Sequence, residues 1–292
     1  MTATSVKKSE MEAKKVRKTA VAMSVVPLLI TLIIFLPCAS ALAQIQMPFL
    51  LPQIQIPSSP PDNTGTSTSK DKVILAIMRS NYPDQNQLVS LYKPYLHSSD
   101  YVMTKPNYRN WDYALKLNGM KGVDYFSLAD INTNAEKIKQ KGGTFIGYDL
   151  EKQYSAPSDM ANPKDAMTQA SKTAHKYGLK LLAIPSHKLT DIYYATFAPL
   201  ADIYGLQAQA YQPDPTQYKA YVSGIVPKLK SAHPGMPVIT EVSTNQGTVS
   251  NMKKAFSSVA DIVDGVTIWY SNTPADLSKV DQFLRWFDST YR

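Results

Sequence analysis

From residue 72 onward the apolar positions switch repeatedly between two periods. Short apolar or alternating runs at Val73 to Met78, Tyr101 to Lys105, Asp124 to Ala129, Thr144 to Glu151, Leu179 to Ser186, Ile203 to Tyr211, Val238 to Ser243 and Val266 to Ser271 read as strands. The segments between them carry helical spacing and helix punctuation. Asn162-Pro163, Asp214-Pro215 and Thr273-Pro274 each place a capping side chain before a proline suited to the first helical turn. Between Lys164 and Tyr177, Ala166, Ala170, Ala174 and Tyr177 recur on one helical face, and Gly178 supplies a stop. Eight strands alternating with helices predict an α/β fold of the (β/α)8 TIM-barrel type over residues 72–292, a length of about 220 residues that lies at the compact end for such barrels. The competing architecture, an open doubly wound sheet, normally follows its first strand with a glycine-rich phosphate loop. Met78-Arg-Ser-Asn-Tyr-Pro83 is nothing of that kind.

The first 71 residues follow other rules. Lys7, Lys8, Lys14, Lys15, Arg17 and Lys18 precede an uncharged apolar run from about Val21 to Leu36, and Ala41-Leu-Ala43 fits a small-residue processing site before Gln44. Residues 1–43 are therefore expected to be a signal peptide or an N-terminal membrane anchor, the run being nearly long enough to span a bilayer. Either reading puts the rest of the chain outside the cell, secreted or anchored, with membrane association only through this segment. Residues 44–71 lack any period. They begin with Gln, Pro and scattered apolar residues and end in a polar Ser/Thr/Pro stretch of linker composition.

Charge changes the picture once that segment is set aside. The chain carries 31 Lys and Arg against 23 Asp and Glu, a net of +8, but the first 43 residues hold six of the bases and two of the acids, leaving +4 for the remainder. No basic stripe interleaved with aromatics remains, so a nucleic-acid partner is not expected. Cys38 is the only cysteine, which excludes disulfides, zinc-thiolate sites and cysteine nucleophiles from everything beyond residue 43. His97, His175, His187 and His233 are scattered, and neither a metal nor a cofactor is expected.

Candidate chemistry gathers at strand ends, where barrel enzymes keep it. The fourth strand ends in Asp149 and Glu151, which strand alternation projects to one side about 7 Å apart. Like charges that close raise the pKa of at least one partner toward the range of a general acid; the plainer alternative is that both acids cap the following helix. Alternation along the sixth strand aligns Gln207, Gln209 and Tyr211, along the seventh Glu241, Ser243 and Asn245, and along the eighth Thr267, Trp269 and Ser271. Carboxylates, amides, a tyrosine and a tryptophan together suit a glycan, whose hydroxyls need paired hydrogen bonds and whose C–H faces stack on an aromatic ring. Each residue taken singly also fits a core or structural role.

Tyr148-Asp-Leu-Glu151, Gln207-Ala-Gln-Ala-Tyr211 and Trp269 resemble the chitinase-like glycoside hydrolases of family 18, whose fourth strand carries D-x-x-D-x-D-x-E. The resemblance implies Glu151 as general acid, Asp149 as the partner that orients a substrate acetamido group, Tyr211 as a hydroxyl donor to that group and Trp269 as the sugar platform. Gln207, Gln209, Ser243 and Asn245 are further candidates for binding the glycan. The two earlier acids of the family pattern fall at Thr144 and Gly147, and Gln212 follows Tyr211 where the family has an acid or its amide. Two mechanisms remain open: assistance by the substrate's own acetamido oxygen, or Glu241 acting as nucleophile or base opposite Glu151. An exported carbohydrate-active hydrolase that cleaves glycosidic bonds and a catalytically silent glycan-binding or cell-surface barrel are the two functional expectations.

Overall fold

The computed structural model describes residues 71–79, 81–106 and 110–292, so the expected signal or anchor segment and nearly all of the expected linker lie outside the described residues. Eight strands, β1 (Val73–Met78), β2 (Tyr101–Thr104), β3 (Met120–Tyr125), β4 (Phe145–Leu150), β5 (Lys180–Pro185), β6 (Ile203–Leu206), β7 (Val238–Ser243) and β8 (Gly265–Trp269), pair in parallel in chain order, and β8 closes on β1. This is a (β/α)8 barrel. The described helices are α1 (Gln85–Tyr92), α2 (Trp111–Ala114), α3 (Leu128–Gln140), α4 (Pro157–Ala161), α5 (Pro163–Lys176), α6 (His187–Phe197), α7 (Pro215–Ala232), α8 (Val249–Ser257) and α9 (Pro274–Tyr291).

The three proline-marked starts begin α5, α7 and α9. Asp214 accepts from the Thr216 and Gln217 amides and Thr273 from the Asp276 amide, satisfying N–H groups that a helix start leaves unpaired, whereas Asn162 makes no such bond. Gly178 stops α5 with φ +63°, a conformation that costs a side-chain-bearing residue more. The longer helices between strands bury one face. On α5 the buried set is Pro163, Ala166, Met167, Ala170, Ser171 and Ala174. On α9, Phe283 and Phe287 join Phe256 of α8 in an aromatic cluster.

At the N-terminal face three aspartates that immediately precede strands tie those strands to their neighbours. Asp100, before β2, accepts from the Ile74 amide of β1; Asp202, before β6, from Leu181 of β5; Asp264, before β8, from Val238 of β7. Asp100 also takes the guanidinium of the final residue, Arg292, at 2.8 Å, and both side chains are almost fully buried. These acids tie strands together at the N-terminal end of the barrel.

Two expected strands are corrected. The third runs from Met120 to Tyr125 rather than from Asp124 to Ala129, because Ser127 caps α3 through the Asp130 amide and turns the chain into a helix at Leu128. The sixth stops at Leu206. Gln209–Tyr211 form a turn of 3-10 helix, so the strand alternation expected through Tyr211 ends early.

Candidate active site

Side chains that point inward near the C-terminal ends of the strands line an open-mouthed cavity of about 110 Å3. Leu75 and Ile77 of β1, Met103 of β2 and Ile184 of β5 supply apolar wall, while Asp149, Glu151, Gln207, Gln209, Glu241 and Trp269 bring polar and aromatic groups. Its apolar walls with a few convergent polar groups are those of a small-molecule pocket.

Asp149 sits near the end of β4 and Glu151 just beyond it. Ser155 fixes the turn that follows: its hydroxyl accepts from the Glu151 amide at 2.9 Å and donates to the Asp149 carbonyl at 3.2 Å. The two carboxyls share one donor. Gln207 Nε2 reaches Glu151 Oε1 at 2.8 Å and Asp149 Oδ1 at 3.2 Å, so an amide one residue past β6 holds both acids in one orientation. Gln153 Nε2 gives Glu151 Oε2 a further bond at 3.2 Å.

Beneath the pair lie a further acid and a base that strand alternation alone does not assign to the site. Lys105, one residue past β2, forms an ion pair with the fully buried Asp124 of β3, and its Nζ stands 3.8 Å from Asp149 Oδ2. The lysine also lies over the Phe126 ring, 4.3 Å from its centroid. Asp124 has room because position 147 is glycine: a Cβ there would come within 2.9 Å of Asp124 Oδ1. Lys105 is legible in the sequence as the last residue of an expected strand, but the expected third strand starts at Asp124 and so puts that acid at the wrong end of the barrel.

Four carboxyls around one ammonium, three of them in buried residues, cannot all be charged. Burial, then the Asp124 charge, hold the Asp149 carboxyl well above the ordinary aspartate range, with Lys105 opposing and Glu151 adding. Burial likewise raises Asp124 against the pull of Lys105. For Lys105 the charges of Asp124 and Asp149 outweigh desolvation, so the amine stays protonated. Glu241 of β7, 6% exposed, is pushed up to about 8, chiefly by burial and then by the Glu151 charge.

The other expected residues divide. Gln209 lines the cavity despite the early end of β6, and its buried Oε1 has no hydrogen-bond partner among the described residues. Trp269 lines it too, with the Arg79 guanidinium 4.7 Å over its ring. Ser243 and Asn245 are joined at the rim, where Ser243 Oγ accepts from the Asn245 amide and Asn245 Oδ1 accepts from Ser271; neither borders the cavity. Tyr211 does not border it either. The 3-10 turn carries its ring against α7, stacked 4.5 Å from Tyr221 and edge-on to His187. Gln212, to which the sequence pattern gives no role, is fully buried and closes the end of β7 through the Ser243 amide and carbonyl. Exposed Tyr154, by contrast, borders the mouth beside Phe126 at 5.3 Å. Among the described residues no three His, Cys, Asp or Glu side chains are grouped to hold a metal ion.

No protein-family model and no curated protein matches the sequence. Solved structures do resemble the fold. A chitinase from Chromobacterium violaceum superposes with a TM-score of 0.51 at 12% identity over 73% of this chain and 99% of that one. The catalytic domain of a family GH18 chitinase from the fern Peteris ryukyuensis gives 0.50 at 14% identity over 74% and 99%. At such identities the likeness is one of fold. The chain is thus a divergent TIM barrel that resembles the family 18 glycoside hydrolases in its architecture.

Proposed function

We propose that this barrel is an exported glycoside hydrolase in which Glu151 is the general acid and Asp149 its proton-sharing partner. The observation that carries the reading is the Gln207 amide donating to both carboxyls inside a cavity that Trp269 also lines. A carboxyl pair held by one donor, with Asp149 pushed toward its neutral form, keeps one proton between the two acids where a glycosidic oxygen would enter. Glu151 lies nearer the mouth and delivers that proton to the leaving oxygen; Asp149 restores it. Trp269 receives a sugar face, and Gln209 offers its unpaired carbonyl oxygen to a hydroxyl.

Glu241 bears on the choice of mechanism. A carboxyl that titrates near pH 8 is mostly neutral at pH 7, which makes it a poor nucleophile and a fair hydrogen-bond donor. That favours the route in which the substrate's own acetamido oxygen attacks and strand four supplies both catalytic acids. The substrate class that follows is an N-acetylated glycan.

A silent glycan-binding barrel is the second reading, favoured by Thr144 and Gly147 standing where the family pattern has acids. Incubating the full-length protein with a panel of N-acetylated and non-acetylated oligosaccharides, with binding and product release both measured, separates the two. Product from the acetylated set alone supports the hydrolase reading; binding with no product supports the silent one. Export is tested by N-terminal sequencing of the native protein: a start at or near Gln44 or an intact Met1 in a membrane fraction agrees with it, and an intact Met1 in soluble cytoplasm contradicts it.

A further inference from the structure

Asp124 and Lys105 have no part in the chemistry proposed above, yet the fold makes a place for both. Asp124 is fully buried, occupies space that any side chain at position 147 would fill, and leaves its Oδ1 without a hydrogen-bond partner among the described residues. Its Oδ2 takes the Lys105 ammonium, the same ammonium that stands 3.8 Å from Asp149 Oδ2. One cation thus lies between two acids from adjacent strands, β3 and β4.

We propose that Asp124 and Lys105 act as one positioning unit for the acid pair: Asp124 holds the Lys105 ammonium at the edge of Asp149 and absorbs most of its charge, so that Asp149 keeps a proton. The effect is electrostatic. A lysine facing Asp149 alone would ionise it, since an opposite charge within about 4 to 6 Å lowers a carboxyl pKa by roughly 1 to 3 units. With no lysine at all, Asp124 would be a bare buried charge. The pair together is close to neutral, and at Asp149 the Asp124 charge outweighs that of Lys105, so the pair adds to the effect of burial.

Charged groups face Asp149 from several sides of the barrel. Lys105 follows β2, Asp124 lies on β3, Glu151 follows β4 and Glu241 lies on β7. Arg79, after β1, acts on Lys105. Ile184 of β5 and Gln207 after β6 are uncharged. Neither Asp124 nor Lys105 supplies or accepts the proton in the proposed cleavage, and both act only through Asp149. The functional meaning of the unit rests on the hydrolase reading, but its effect on Asp149 does not.

The test is therefore a titration rather than an assay of turnover. The full-length protein, labelled with 13C at its aspartate carboxyls, is followed by NMR across pH, with the Asp149 signal assigned by its loss in Asp149→Asn. In Asp124→Asn the lysine falls on Asp149 alone and one neighbouring negative charge is gone, so the Asp149 midpoint should drop by about 1 to 3 pH units. Adding Lys105→Met to that variant removes the cation and should raise the midpoint again. The double variant leaves neither Asp124 nor Lys105 as an unpaired buried charge, which avoids the folding risk of Lys105→Met alone. A midpoint that stays put or rises in Asp124→Asn, or fails to recover in the double variant, overturns the assignment. Because no turnover is read, an inert barrel would still show these shifts. If glycan hydrolysis is found, the alkaline limb of its pH profile should move in the same directions.

Discussion

Glu241→Gln offers a direct physical reading of how dry the cavity is. Glu241 is raised from an ordinary 4.5 to about 8, so between those pH values the folded protein keeps a proton that the unfolded chain has lost. The sign follows. Below pH 4.5 both states are protonated and the group contributes nothing; as pH rises toward 8 unfolding releases a proton and stability falls; above 8 both states are ionised and the loss is constant. At about 1.4 kcal/mol per unit the full loss approaches 5 kcal/mol, an upper figure because Asp124 and Lys105 are perturbed in the same cavity. Glutamine fills the same volume but cannot titrate. Urea unfolding of the wild-type and Glu241→Gln proteins at unit steps from about pH 5 to pH 9 should give a stability difference that grows in favour of the variant up to about pH 8 and then levels. Its pH-dependence is the readout, since burial of the amide shifts all points alike. A difference that is flat from about pH 5 to 8 would mean that Glu241 is ionised and hydrated at neutrality, and would return it to the role of nucleophile or base.

Two further outcomes follow from the same geometry. Trp269→Ala should weaken glycan binding by about 1 to 2 kcal/mol with a modest loss of stability, because the ring borders the cavity and is capped by Arg79 rather than enclosed in the core; calorimetry and thermal unfolding on one sample check it, and a stability loss of about 3 to 5 kcal/mol would assign it to the core instead. Arg292→Ala leaves Asp100 buried with its charge unpaired at the far end of the barrel, which should cost about 3 to 5 kcal/mol in a denaturation curve while glycan affinity is unchanged.

Much of this architecture is legible in the sequence, and the exceptions have physical causes. The bounds of β1 and β7 are as expected, since Val73 to Met78 and Val238 to Ser243 are bordered by polar or turn residues. β3 is shifted because Met120-Lys-Gly carries no apolar alternation, while Phe126 extends the apparent run past the true strand end; the Ser127 and Asp130 capping pair is the signal that marks the boundary. That shift hides Asp124, whose partner Lys105 lies beside it only once β2 and β3 are in register, as Thr104 opposite Val123 shows. Alternation puts Gln207, Glu241 and Trp269 on the inner face, where the structure also has them. It fails at Tyr211 because nothing in Gln207-Ala-Gln-Ala-Tyr211 announces the 3-10 turn, which the buried Gln212 stabilises from the far side by bonding to β7.

The central claim is that Glu151 donates the proton in glycosidic cleavage, and the most direct test compares wild type with Glu151→Gln on a glycan that the wild-type protein hydrolyses. Glutamine keeps the shape and the polarity but has no acid proton, so kcat should fall by about 100- to 10,000-fold while Kd for the glycan changes little. Turnover that survives Glu151→Gln intact would contradict the account.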